Sequence, residues 1–137
     1  MNDEVLKISS RLLKMIFIII SIIMLIRGHN RPGGGFIGGI ILASGFILYG
    51  MANGYEQLRK SMKLKPISII MAGLLIAVFS ALLGFFKQSF FEGLWLKIDS
   101  IGFKAGTPLI FDIGVYLTVF GILMMIFATV MEELKWK

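Results

Sequence analysis

The chain has 137 residues, 57% of them hydrophobic and 16% charged, with a mean hydropathy of +0.87. A soluble domain averages roughly 45–50% apolar and about 25% charged residues, so a chain this short could not bury so many apolar side chains and still cover them; a bilayer is the expected solvent. The absence of cysteine and the single histidine exclude a disulfide framework, a Cys-ligated zinc or iron–sulfur site, a thiol nucleophile and a multi-histidine metal centre, and no cofactor is expected.

Four apolar stretches follow in chain order. The first covers residues 5–26; its uncharged part, residues 15–26, is only twelve residues long, so a full span must reach back over Lys14 and Arg11, whose stems can snorkel toward headgroups. A basic segment followed by such a run also has the outline of a signal peptide. Arg27, Gly28 and His29 follow in place of a small-x-small site, however, so no cleavage is expected. The second stretch is residues 36–53. The third, residues 66–86, has 21 residues, about 31 Å of helix, and opens on Pro66, where proline suits a first helical turn. The fourth, residues 108–131, contains one charge, Asp112.

Between the third and fourth stretches, Phe91, Leu94, Trp95 and Ile98 recur at i, i+3, i+4 and i+7, which predicts a short interfacial helix. No linker, low-complexity tract or repeat divides the chain. The expected fold is an all-α integral membrane protein, one domain of four transmembrane helices over residues 1–137 with that interfacial helix between helices three and four.

The net charge of +6 sits in clusters between apolar runs, without a basic patch interleaved with aromatics, so it reports topology and lipid contact rather than nucleic acid. Nine Lys and Arg flank the spans on the side of the termini against five on the other, which predicts both termini in the cytoplasm.

The densest local signal is the block Gly28-His29-Asn30-Arg31-Pro32-Gly33-Gly34-Gly35-Phe36-Ile37-Gly38-Gly39. It lacks the Gly-Lys-Ser/Thr ending and the preceding strand of a phosphate loop. Gly35, Gly39 and Ala43 at four-residue spacing form a small ridge for close helix packing; the competing reading is a broken helix start whose bare backbone contacts an ion or lines a water path. Asp112 lies one turn into the last span, after Thr107 as candidate N-cap and Pro108 at the first helical position. It faces two readings: an ion pair with Arg27 or Arg31, or a proton or cation relay. His29 is more often a hydrogen-bonding interfacial residue than a shuttle. Gly114, Gly121 and Ala128 make one stripe on that helix, with Asp112 and Tyr116 on a different face, and Gly73, Ala77 and Ala81 form another small row. So much close-packing surface predicts membership of a larger assembly.

The glycine block resembles the signature of the MnhB/MrpB-type subunits of the Mrp/Mnh multisubunit Na+/H+ antiporters, and Gly106-Thr107-Pro108-Leu109-Ile110-Phe111-Asp112-Ile113-Gly114-Val115-Tyr116 resembles the start of the last span in that family. The resemblance covers nearly the whole chain. It implies a hetero-oligomeric antiporter in the cytoplasmic membrane that moves Na+ out and H+ in, with other hydrophobic subunits as partners and the ion channels mainly in the large subunits. It also implies a non-catalytic chain needed for assembly, whose candidate ion-path or polar residues are Asp112, His29, Arg27, Arg31, Asn30 and Thr107. Gly33, Gly34, Gly35, Gly38, Gly39, Gly114 and Gly121 are the candidate packing or broken-helix glycines. Small four-span subunits of this type also occur in complex I-like membrane-bound hydrogenases, so a redox-driven pump and a purely structural adaptor remain alternatives.

Overall fold

A computed structural model describes residues 3–28, 34–85, 95–98 and 103–135. Helix α1 runs Asp3–Gly28, α2 Gly34–Asn53, α3 Tyr55–Ser61, α4 Pro66–Phe85 and α5 Thr107–Lys135, with strands β1 (Trp95–Ile98) and β2 (Phe103–Gly106) before α5. Four of these helices, α1, α2, α4 and α5, are long and apolar enough to cross a membrane. At about 1.5 Å per residue, the 20 residues of α2 and of α4 each make about 30 Å, the thickness of the hydrocarbon layer. The 26 residues of α1 and the 29 of α5 overshoot it, which places their charged ends, from Asp3 to Lys7 and from Glu132 to Lys135, in the headgroup region or beyond.

The helices pack as a row, α1 against α2, α2 against α5, and α5 against α4. Small residues fix each pairing. A Cβ on Gly38 would meet Ser21 O at 2.9 Å, and one on Gly45 would meet Phe17 Cβ at 2.6 Å, so α1 and α2 lie antiparallel at close range. Gly28 and Gly34 touch backbone to backbone where α1 ends and α2 begins. Gly73 and Gly114 bring α4 and α5 together, and Gly121 abuts Ile70 and Pro66 on the next turns. In lipid, helices gain little hydrophobic energy by pairing, and small residues supply the close van der Waals contact that replaces it.

Toward the other end lies the buried core, mostly of large side chains. Ala43, Tyr49, Leu58, Phe120 and Met124 form the core, with the Phe46 and Phe120 rings edge to face at 5.4 Å between centroids. The outward faces of α1 and α4 stay apolar and exposed, among them Leu75 at 69% and Phe79 at 62%, as lipid-facing surface or subunit contacts require.

Two local features differ from the sequence reading. The expected interfacial helix between the third and fourth spans is not what the described part of that segment forms: Trp95–Ile98 pairs antiparallel with Phe103–Gly106, Leu96 opposite Ala105. Phe91 and Leu94 lie outside the described residues. A short apolar run does not discriminate helix from strand by periodicity, and here Asp99, Ser100 and Gly102 are turn formers between two four-residue runs. The short amphipathic helix is instead α3, between the second and third spans. Gly54, at φ 88°, takes the left-handed backbone that separates α2 from α3. Leu58, only 1% exposed, then pins α3 to Gly50 and Phe127, while Glu56, Arg59 and Lys60 face outward.

Candidate functional site

Asp112 sits a turn and a half into α5, half-buried, at the level where Gly35 of α2 abuts its backbone carbonyl. A side chain at Gly35 would collide with that carbonyl, so the glycine brings α2 onto the helix that carries the acid. One turn further, a Cβ on Gly39 would meet Tyr116 O at 2.8 Å and the Val119 side chain at 3.0 Å, and one on Gly38 the Tyr116 ring at 3.1 Å. The Tyr116 hydroxyl lies 3.0 Å from Ser21 Oγ in the buried centre of the α1, α2 and α5 contact. Ser21 Oγ donates to Ile18 O at 2.8 Å, which leaves Tyr116 as the donor between the two hydroxyls. Tyr116 and Ser21 form a buried polar pair, with Asp112 one helical turn before Tyr116 on the same helix.

The opposite face of α5 is built on glycine. A Cβ on Gly114 would meet Ala77 N at 2.6 Å and Gly73 O at 2.7 Å, and Thr118 Oγ1 donates to Gly114 O at 2.8 Å. The two faces expected for α5 thus meet two neighbours, α2 on the Asp112 side and α4 on the glycine side.

A second polar group lies toward the termini and involves residues that the sequence did not single out. Lys14 Nζ stands 3.9 Å from the centre of the Tyr49 ring and 5.4 Å from that of Phe46, and donates to Ser61 Oγ at 3.1 Å. Such a cation over two ring faces is held by their quadrupoles. Next to it, Asn53 Nδ2 donates to Ser10 Oγ at 2.7 Å and to Tyr49 O at 3.1 Å. The Lys14 stem does run toward the headgroup end, but over aromatic faces inside the protein, since Tyr49 is a buried core residue. The signal was present in α1: Ser10, Lys14, Phe17, Ser21 and Gly28 lie at i, i+4, i+7, i+11 and i+18, one face of the helix.

The remaining sequence candidates divide clearly. Gly34, Gly35, Gly38, Gly39, Gly114 and Gly121 all touch a neighbouring helix. Arg27 ends α1 with an exposed side chain. Thr107 is the first helical residue of α5 and Pro108 the second, so the helix begins one residue earlier than the expected N-cap at Thr107 with Pro108 at the first helical position. His29, Asn30, Arg31 and Gly33 lie outside the described residues.

Residues 5–125 match the family described as "Domain related to MnhB subunit of Na+/H+ antiporter". The chain is 35% identical to the B-type Na(+)/H(+) antiporter subunit of Bacillus subtilis, over 96% of this chain and 95% of that protein. It is 33% identical to the corresponding B-type protein of Alkalihalophilus pseudofirmus, over 96% and 94%. Among solved structures, that of the Mrp complex from Dietzia sp. DQ12-45-1b matches 90% of this chain with a TM-score of 0.76 and 34% identity. This chain spans only 13% of the chain it matches there. With four membrane-crossing helices and this likeness from end to end, the chain is a multi-pass membrane protein of the MnhB family of Na+/H+ antiporter subunits.

Proposed function

We propose that the chain is the MnhB-type component of a multisubunit Na+/H+ antiporter in the cytoplasmic membrane, with other hydrophobic subunits as its partners and no enzymatic reaction of its own. The observation that carries this is the match to antiporter subunits of the B type along 96% of the chain, with nearly equal coverage of the relatives. The whole chain acts as one domain with both termini cytoplasmic, in keeping with the bias of flanking Lys and Arg.

Within that role, the glycines of α2 and α5 hold α1, α2, α5 and α4 at backbone contact, and Asp112 supplies a carboxylate beside the Tyr116–Ser21 pair. A single acid is a poor relay across roughly 30 Å, so Asp112 contributes one station to an ion path completed by other subunits, together with the polar residues of the α1–α2 connection.

Purification of the tagged chain from its own membranes in mild detergent, with its companions identified by mass spectrometry, tests the assembly. Hydrophobic antiporter subunits are expected; hydrogenase subunits would move the chain to a redox-driven pump, and recovery alone would remove the assembly reading. Asp112→Asn then tests the path. Lost antiport with an intact complex is expected, whereas unchanged antiport leaves only the adaptor role. Cysteines introduced at each terminus and labelled from either side of the membrane test the orientation.

A further inference from the structure

We infer that the groove between α3, the start of α4 and the end of α5 is a seat for an anionic phospholipid. It encloses about 460 Å³, within the range of about 300–1,000 Å³ typical of small-molecule sites. Arg59, Lys63 and Lys65 are among its lining residues, as are the apolar Ile67, Met124 and Met125. The lining holds three exposed cations and one carboxylate, Glu132, whose Oε1 accepts from the Tyr55 hydroxyl at 3.0 Å.

The packing register sets the direction of this polarity gradient. Gly121 lies against Ile70 and Pro66 and Gly114 against Gly73 and Ala77, so α4 descends as α5 rises. Lys63 and Lys65, just ahead of α4, therefore stand near the level of Ala128 to Glu132, while Met124 and Met125 lie level with the first turn of α4. From Met124 to Glu132 is about 12 Å along the helix axis, which runs from hydrocarbon into the headgroup layer. A wedge with cations at headgroup height and an apolar floor just below is complementary to a phosphodiester with its glycerol and first methylenes. A soluble anion would satisfy the cations but leave the apolar floor unmatched.

Leu58 and the Tyr55–Glu132 hydrogen bond fix α3 as the wall of the groove, so the site is built by the fold rather than by a flexible basic tail. Thioether side chains adapt to chains of varied shape, which suits a lipid floor.

The test uses the tagged chain with the subunits it retains in mild detergent, reconstituted into phosphatidylcholine bilayers. A minor fraction of phosphatidylglycerol or of phosphatidylcholine carries a diazirine on its acyl chain. After irradiation, peptides containing Ile67 or Met124 and Met125 are expected to carry the phosphatidylglycerol probe at least about tenfold over the phosphatidylcholine probe. That preference should vanish in the triple variant Arg59→Gln, Lys63→Gln, Lys65→Gln and survive in Lys63→Arg, Lys65→Arg. Equal labelling by the two probes, or none because a segment of another subunit fills the groove, overturns the inference. So does loss of the preference on adding inorganic phosphate, which would mark a site for free anions.

Discussion

The close contact of α4 with α5 gives a quantitative test of how the row of helices is held. A Cβ at Gly114 would sit 2.6 Å from Ala77 N, and one at Gly73 2.6 Å from Thr118 N, against 3.4 Å where ordinary contact begins. Gly114→Ala or Gly73→Ala must therefore part the helices by roughly 0.8 Å, because backbone atoms obstruct each Cβ and cannot rotate away, whatever the Thr118 hydroxyl beside Gly73 does. A gap of that size forfeits about a quarter to a half of the dispersion well along the seam, consistent with about 1–3 kcal/mol for overpacking a close-packed interior. One parting relieves both collisions, so the double variant should fall short of the sum of the singles by roughly 1 kcal/mol. The chain has no cysteine, so Ser80→Cys, at a buried position on α4, provides a unique thiol in this chain. Its maleimide labelling in the assembled protein reports transient opening of α4, and each single variant should raise the rate about 5- to 150-fold. A rise below twofold, or strict additivity of the two changes, would refute the shared-seam argument.

Other consequences follow from the polar groups. Tyr116→Phe removes the hydrogen bond to Ser21 but leaves Ser21 bonded to Ile18 O, so it should cost only about 0.6 kcal/mol, whereas Ser21→Ala orphans a buried hydroxyl and should cost about 1–3 kcal/mol. Thermal melting of the assembled protein checks that order, and a larger effect of Tyr116→Phe would contradict the donor assignment. Lys14→Met keeps the apolar stem but removes the cation from Tyr49 and Phe46, about 0.5–2 kcal/mol, and should speed hydrogen exchange at the Leu58 and Met62 amides of the α3 turn roughly 2- to 30-fold. Burial, and then the hydrogen bond to Glu132, push the Tyr55 hydroxyl above its ordinary value of 10.0. A raised acid pKa in the folded state means that the tie between α3 and α5 is fully present below about pH 10 and is lost as pH rises through the folded value. Proteolysis within α3 should accelerate above pH 10 in the unaltered protein; Tyr55→Phe should be susceptible already at neutral pH and show no further rise.

The membrane class, the four spans and the start of the last one are legible in the sequence because each depends on local composition: about 20 apolar residues per span, proline at a first turn and charge at the ends. The element between the third and fourth spans is not, because Trp95 to Ile98 satisfy both a helical and an extended pattern, and strand pairing depends on a partner about eight residues away. Helix α3 leaves little trace, since its seven residues are charged on one side and only Leu58 is fully buried. Asp112 stands out as a charge inside a span. Lys14 reads as a snorkelling residue, since nothing local to it indicates that Phe46 and Tyr49 lie across the helix contact.

The sequence by itself determined that this chain lives in a bilayer, which segments cross it, and which faces are small enough for backbone contact, because hydropathy, length and residue volume act within one helix. Only the tertiary structure decided which face meets which neighbour. It joined Gly35 to Asp112, Gly73 to Gly114, Ser21 to Tyr116 and Lys14 to Tyr49, and it folded α3 over α5 to close the basic groove. Those pairings arise from the fit of ridges between helices far apart in the chain, and apolar surface that lipid and protein solvate equally well leaves no trace of its partner in composition.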